Sequence, residues 1–319
     1  MSKPRKIVIL GRVFPQMPDL IHAAELGAIE IINLPDAPAV DEDELHEAVR
    51  GASGLVALPH VPITASLMDI AGDQLQVISN HAVGLDNIDL PAAKQRNITV
   101  CNTPDPVLEP TADIAWLLLM GAARRVREGE QLMKDGAWAG FATDLLLGQR
   151  MIGATLLIVG AGRIGAAVAR RSIGWNMRVL YVANSNKPNL EEPPIHAVRV
   201  EPDEGLREAD FVSLHVPLSE ATHHLINAQR LAMMKPTAVL VNTARGPIVD
   251  EEALIEALRN KTIFAAGLDV FENEPNVRPE FLELPNVLAL PHLGSATESD
   301  RLWSTHLVVQ NLAGVLQDG

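Results

Sequence analysis

Short apolar runs alternate with amphipathic stretches along almost the whole chain. KIVIL (6–10), IEIINL (29–34), GLVAL (54–58), QVIS (76–79) and ITVCN (98–102) predict strands. Between them, EDELHEAVR and ITASLMDIAG space their apolar residues at helical intervals. Such alternation predicts parallel βαβ units and a doubly wound α/β sheet. The pattern breaks at Thr103-Pro-Asp-Pro106 and at Glu109-Pro110, prolines that mark a turn or hinge before a helix expected to begin near Thr111. Ala112 to Ala123 is strongly apolar but too short to span a bilayer, and Arg124-Arg125 follow it, so it reads as a buried helix. From Gly153 the alternation resumes through ATLLIVG, MRVLYV, FVSLHV, AVLVNTA, the helical EEALIEALRN, FAAGLDV and NVLALPH. The polar, proline-rich SNKPNLEEPP reads as loop. After Thr297 the pattern is helical with no strand behind it, as expected if the chain crosses back to its first domain. The expected division is therefore residues 1–103 and 296–319 in one domain and 104–295 in a second, inserted one.

The strand that opens the inserted region, Leu156–Val159, runs straight into Gly160-x-Gly162-x-x-Gly165. A strand followed by that spacing and then by a helix-forming stretch places bare backbone N–H groups at a helix N-terminus. The first glycine makes the tight turn, the second admits a pyrophosphate to the backbone, and the third lets helix and strand pack closely. With both flanks in agreement, the stretch reads as a dinucleotide site rather than a plain turn.

At 319 residues the chain can bury two cores, and 47% hydrophobic with 21% charged residues describes a globular protein. A net charge of −14 disfavours nucleic acid and anionic membrane as partners, because both select basic surfaces. The single cysteine, Cys101, excludes an internal disulfide, reads as a small buried hydrophobe, and fits a cytoplasmic location. The N-terminal apolar run is too short for a signal peptide. His60, His81, His215 and the pair His223-His224 lack metal-ligand spacing, and no metal site is expected.

A nicotinamide at such a dinucleotide site would exchange a hydride with a carbonyl, which calls for a group that manages one proton and, were the substrate a 2-oxo acid, for a cation near its carboxylate and carbonyl. Three strand-end positions meet that need. Arg245 lies in VNTARGPIVD, Glu274 in LDVFENEP and His292 in LALPHLGSAT. Ligands of open α/β sheets bind beyond the carboxyl ends of strands, so these loops can converge. Each has a plainer reading, as a solvated arginine, an acidic loop shared with Glu272, and a hydrogen-bonded structural histidine; the set of three is what favours chemistry.

The runs HAVGLDNIDL, NTPDPVLEPTAD, VGAGRIG, LHVPL…ATHHLIN, MKPTAVLVNTARGPIVDEEAL, AAGLDVFENEP and LPHLGSAT occur in order between about residues 50 and 312. Together they resemble the D-isomer-specific 2-hydroxyacid dehydrogenase family, most of all its glyoxylate and hydroxypyruvate reductases. The resemblance implies a Rossmann dinucleotide-binding domain inserted in a flavodoxin-like substrate domain. It implies that His292 is the general acid, that Glu274 orients its imidazole and favours the protonated form, and that Arg245 anchors the 2-oxo acid. The substrate carboxylate would meet the amides of Val83 and Gly84. Cofactor contacts would come from Thr111, Gly160, Gly162, Arg163, Ile164, Gly165, Pro217, Thr222, Thr243, Ala244, Asp269 and Gly294, with Asp269 reaching the carboxamide unless it is only structural. The family also implies a homodimer, with the segment after Gly136 as a dimer arm; Trp138 in it reads as packing, or as reaching a neighbouring active site.

Two departures from the pattern matter. Dinucleotide-binding folds that take NAD place a carboxylate about 20 residues beyond the glycine loop. Here the strand MRVLYV ends in Ala183-Asn-Ser-Asn-Lys187, with neither carboxylate nor arginine. Asn184, Ser185 and Lys187 could donate to a 2′-phosphate, so the cofactor expectation leans to NADPH, with NADH as the alternative. Glu109-Pro110 is more acidic than usual, which bears on the local loop only. A D-lactate-type dehydrogenase and a nucleotide-sensing, corepressor-like binding protein are the competing readings.

Overall fold

A computed structural model describes residues 4–35 and 40–317. They form two compact units, the first from the chain up to Val107 together with the chain from Ser295 onward, the second from Leu108 to Gly294.

The first unit is built on a parallel sheet of β1 (Arg5–Ile9), β2 (Ile29–Asn33), β3 (Gly54–Ala57), β4 (Val77–Asn80) and β5 (Thr99–Cys101) in the order β2-β1-β3-β4-β5. This is the flavodoxin-like order. Alternation along the strands sends Ile7, Ile9, Val56 and Val77 to one face and Val8, Leu55, Ala57 and Ile78 to the other. The helix Glu298–Leu316 closes the first face with Val308, Leu312 and Leu316, each fully buried and worth roughly 1.5–3 kcal/mol of gross burial. Its N-cap is Thr297, whose hydroxyl accepts from the Asp300 amide. Cys101 is half-buried, and burial pushes its thiol up, away from the reactive thiolate.

The second unit contains β6 (Thr155–Val159), β7 (Arg178–Val182), β8 (Val198–Arg199), β9 (Phe211–Leu214), β10 (Val239–Asn242), β11 (Ala265–Leu268) and β12 (Val287–Ala289). All are parallel, in the order β12-β11-β10-β9-β6-β7-β8. Counted from β6, the order is that of the Rossmann fold with one more strand at the end. Leu156 and Ile158 face the helix Leu108–Ala123 through Ala112, Ala115 and Leu118, while Leu157 and Val159 share the opposite core with Leu254 and Leu258 of Glu251–Arg259. Among the described residues, no helix is long and apolar enough to cross a membrane.

Two elements differ from the sequence reading. The helix expected near Thr111 begins at Leu108, with Pro110 inside its first turn, where the missing N–H costs nothing. The segment SNKPNLEEPP contains a one-turn helix, Pro188–Glu191, held by the fully buried Leu190.

Candidate active site

In a parallel sheet every strand ends on the same side, so the loops following β6, β7 and β9 to β12 share one edge of the second unit. Ordered along the sheet, that edge carries His292 after β12, Asp269 and Glu274 after β11, and Arg245 after β10. Pro217 and Thr222 follow β9, the glycine loop follows β6, and Asn184, Ser185 and Lys187 follow β7. The order of strands thus separates Arg245, Glu274 and His292 from the glycine loop by the switch point between β9 and β6.

Gly160 and Gly165 have the packing roles their spacing predicts, and Gly162 is left open. Gly160 has φ +99°, and a Cβ there would stand 2.6 Å from the carbonyl carbon of His215. At Gly165 a Cβ would stand 2.2 Å from the Gly160 oxygen, so helix and strand can pack only with glycine there. Gly162, at the N-cap of Arg163–Arg171, has nothing within 4 Å on its Cβ side, which leaves room for a phosphate to approach. Arg163 and Ile164 form the first turn of that helix. After β10, Thr243 is buried with its Oγ1 lacking a hydrogen-bond partner among the described residues, a polar atom suited to a bound ligand. The open glycine cradle and this orphaned hydroxyl fit a dinucleotide.

His292 and Glu274 are already paired. His292 Nδ1 lies 2.7 Å from Glu274 Oε2, while Glu274 Oε1 accepts from the Phe271 amide at 2.9 Å. Burial alone would raise the Glu274 carboxyl. The His292 hydrogen bond and charge, the Phe271 amide and the Arg245 charge outweigh it and hold the pKa below the usual carboxylate value. His292 is 40% exposed, so its other nitrogen can be reached from solution. Its φ is +54°, a left-handed conformation uncommon for a residue with a side chain. Asp269 maintains that bend: its carbonyl accepts from the His292 amide, Oδ1 from Leu293 at 2.7 Å and Oδ2 from Gly294 at 2.8 Å. Burial pushes the Asp269 carboxyl up despite those donors. A Cβ at Gly294 would crowd Thr111 Oγ1 at 3.2 Å.

Glu272, the other carboxylate of that acidic loop, serves a different histidine, His224, at 2.9 Å. Thr222 Oγ1 donates to the Pro217 carbonyl and accepts from the Ser219 amide, drawing the loop after β9 into a tight turn. Asn242, which sequence reasoning missed, clamps the Thr243–Arg245 bend: Nδ2 donates to the Arg245 carbonyl and Oδ1 accepts from the Ala244 amide. A buried asparagine ending a strand was the available signal. Arg199 was missed as well; from β8 it reaches the loop after β7, donating to the Ala183 carbonyl at 3.0 Å and to Asn186 Oδ1 at 3.2 Å.

In the first unit, the loop after β4 holds Val83 and Gly84. The Ala82 carbonyl accepts from the Thr103 amide and the Val83 carbonyl from Asn102 Nδ2 at 2.8 Å. In a trans peptide the next N–H points opposite to its carbonyl, so the Val83 and Gly84 amides are both turned away from these partners. Neither amide donates to another described residue. Asn80 completes the clamp by donating to the Gly84 carbonyl at 2.7 Å. Two adjacent outward amides make a seat for an anion.

Trp138, read as a packing residue, is 53% exposed within its own chain, and nearby Phe141 and Leu147 are exposed as well. Among the described residues, no group of three or more His, Cys, Asp or Glu is arranged to hold a metal ion.

The family described as "D-isomer specific 2-hydroxyacid dehydrogenase, NAD binding domain" matches residues 116–294, more than half of the chain. A glyoxylate reductase of Thermococcus onnurineus is 44% identical over 281 residues, covering 87% of this chain and 84% of that protein. The crystal structure of the TT0316 protein of Thermus thermophilus superposes with a TM-score of 0.89 at 40% identity, over 98% of this chain and 97% of that one. The NADPH-dependent glyoxylate/hydroxypyruvate reductase of Sinorhizobium meliloti, solved with NADP and malonate, gives 0.82 at 33% identity, over 97% and 92%. With the Rossmann strand order, the glycine cradle and the His292–Glu274 pair on one sheet edge, these likenesses establish that the chain belongs to the D-isomer-specific 2-hydroxyacid dehydrogenase family, most like its glyoxylate reductases, and is an NAD(P)-dependent oxidoreductase.

Proposed function

We propose that the protein reduces glyoxylate and hydroxypyruvate to their 2-hydroxy acids, using NADPH in preference to NADH. The observation that carries this reading is the 2.7 Å pairing of His292 with Glu274, on the same sheet edge as Arg245. The nicotinamide, when bound, supplies the hydride to C2. With Nδ1 committed to Glu274, Nε2 of His292 is the nitrogen that delivers a proton to the 2-oxo oxygen. Glu274 keeps the imidazole in one orientation. Arg245 draws the oxo acid by charge-assisted hydrogen bonds, and the amides of Val83 and Gly84 receive its carboxylate. Thr111, Pro217, Thr222, Thr243, Ala244 and Gly294 line the cofactor, with Arg163 and Ile164 at its pyrophosphate. Asp269 has lone pairs beyond those used by Leu293 and Gly294, and accepts from the carboxamide.

In this reading the residues up to 103 and beyond 296 bind substrate, and the inserted region binds cofactor. The protein works in the cytoplasm as a homodimer. Support for the dimer comes from exposed apolar side chains clustered in sequence, Leu117, Met133, Trp138, Phe141 and Leu147. A monomer mass in sedimentation at working concentration would dismiss it.

The test of function follows nicotinamide absorbance with glyoxylate, hydroxypyruvate and pyruvate, each with both cofactors. The expected result is a higher kcat/KM for the first two acids. A preference for pyruvate would point to a D-lactate-type enzyme, and binding without turnover on any acid to a nucleotide sensor.

A further inference from the structure

We propose that Arg199, supplied by the edge strand β8, is the cation by which this protein recognises the 2′-phosphate of NADPH, taking the place of a residue absent from the loop after β7. The inference rests on the dinucleotide reading above and goes beyond it.

In the Rossmann order the adenosine ribose lies at the end of the strand next to the glycine-loop strand, here β7. The residues there, Ala183-Asn-Ser-Asn-Lys187, offer no carboxylate to hold a 2′-hydroxyl. The nearest one in sequence, Glu191, is engaged at the end of this loop: its Oε1 accepts from the Tyr181 hydroxyl and from the Lys187 amide. The loop itself thus carries no carboxylate, and the one beside it has an oxygen already committed to two donors.

The positive side of the site comes from a different element. In the β7–β8 ladder, Tyr181 stands opposite Arg199. From that register the Arg199 side chain lies against the end of β7, with Nε on the Ala183 carbonyl and Nη1 on Asn186 Oδ1. Two bonds fix the plane of a guanidinium. The remaining nitrogen, Nη2, has no partner among the described residues. An arginine whose plane is already held loses less freedom when it takes an anion than a lone surface arginine does. On the same loop, Lys187 Nζ lies 3.5 Å from Ser185 Oγ, so an ammonium and a hydroxyl accompany the guanidinium. In a chain of net charge −14, this grouping of Arg199 and Lys187 around a carboxylate-poor loop is the reverse of the average surface.

The experiment measures binding of 2′,5′-ADP and 5′-AMP to the full chain by calorimetry, for the native protein, Arg199→Gln and Arg199→Lys. A charge-assisted bond of the usual strength predicts that Arg199→Gln weakens 2′,5′-ADP about 10- to 100-fold while 5′-AMP changes by less than about twofold. Arg199→Lys should fall between, because lysine restores the charge but not the two bonds that fix the guanidinium. The salt dependence of 2′,5′-ADP binding should also flatten in Arg199→Gln. Unchanged 2′,5′-ADP binding in Arg199→Gln, or an equal loss for both probes, would overturn the assignment, the latter reducing Arg199 to a loop brace. If NADH binds and turns over while a 2′-phosphate adds no affinity to the native protein, the reduction of 2-oxo acids stands, and the NADPH preference falls together with this inference. If the native protein binds neither dinucleotide, the reading beneath it falls instead.

Discussion

His292 occupies a backbone conformation that costs a residue with a side chain on the order of 1–3 kcal/mol, and Asp269 keeps it there with three acceptors. The result is an imidazole whose Nδ1 is held by Glu274 before any substrate arrives. That arrangement separates two contributions. His292→Ala should reduce kcat by about 10²–10⁴-fold, the usual worth of a positioned proton donor. NADPH affinity, measured by fluorescence, should stay within about threefold, because the glycine loop proposed to hold the pyrophosphate lies on other strands. Comparable losses in kcat and in cofactor affinity would mean that the histidine shapes the pocket and does not transfer the proton.

At the scale of elements, the strand–loop–helix from Thr155 to Arg171 assigns different costs to glycines only a few residues apart. Gly165→Ala would force a Cβ to within 2.2 Å of the Gly160 oxygen and should lower the denaturant midpoint markedly. Gly162 has open space on its Cβ side and a φ of −77°, so Gly162→Ala should fold with a nearly unchanged midpoint. It should nonetheless weaken cofactor binding, since the added methyl would fill the space proposed for the pyrophosphate. Urea melts paired with binding titrations test the contrast; loss of stability at both positions would show that neither glycine is reserved for a ligand. The loop after β4 follows the same logic with different chemistry, because Asn80, Asn102 and the Thr103 amide take up carbonyls so that two N–H groups face outward.

For the whole molecule, two histidines whose rings are desolvated set the acid limit. Burial, with the Arg301 charge adding to it against an opposing backbone hydrogen bond, depresses the His81 pKa to about 4. Burial alone depresses that of His215 to about 3. Both imidazoles are neutral in the folded protein, whereas in the unfolded chain they protonate near 6.5. The unfolded state therefore binds more protons as pH falls, so stability is complete above about pH 6.5 and drains away toward pH 4 and then 3. Urea midpoints should be flat from about pH 7 to 8 and decline steadily below about 6.5, less steeply in His81→Gln. An equally steep decline in that variant would show that His81 protonates freely in the folded protein.

Short-range patterning determined a large part of this protein. Strand alternation, the glycine loop and the loops carrying Arg245, Glu274 and His292 are legible because apolar period, turn chemistry and strand ends are local properties. Elements too short to show a period were not: β8 has two residues and Pro188–Glu191 a single turn, and both form because neighbouring strands and the buried Leu190 hold them. The start of the helix at Leu108 was obscured for a related reason, since proline reads as a breaker although it is harmless in a first turn. Only tertiary structure decided which side chains meet across distance. It paired His292 with Glu274 and not with Glu272, which it gave to His224. It also set Asn102 beneath the Val83 carbonyl and brought Arg199 to a loop that ends 12 residues earlier. Those meetings are fixed by strand order and register, which no window along the chain contains.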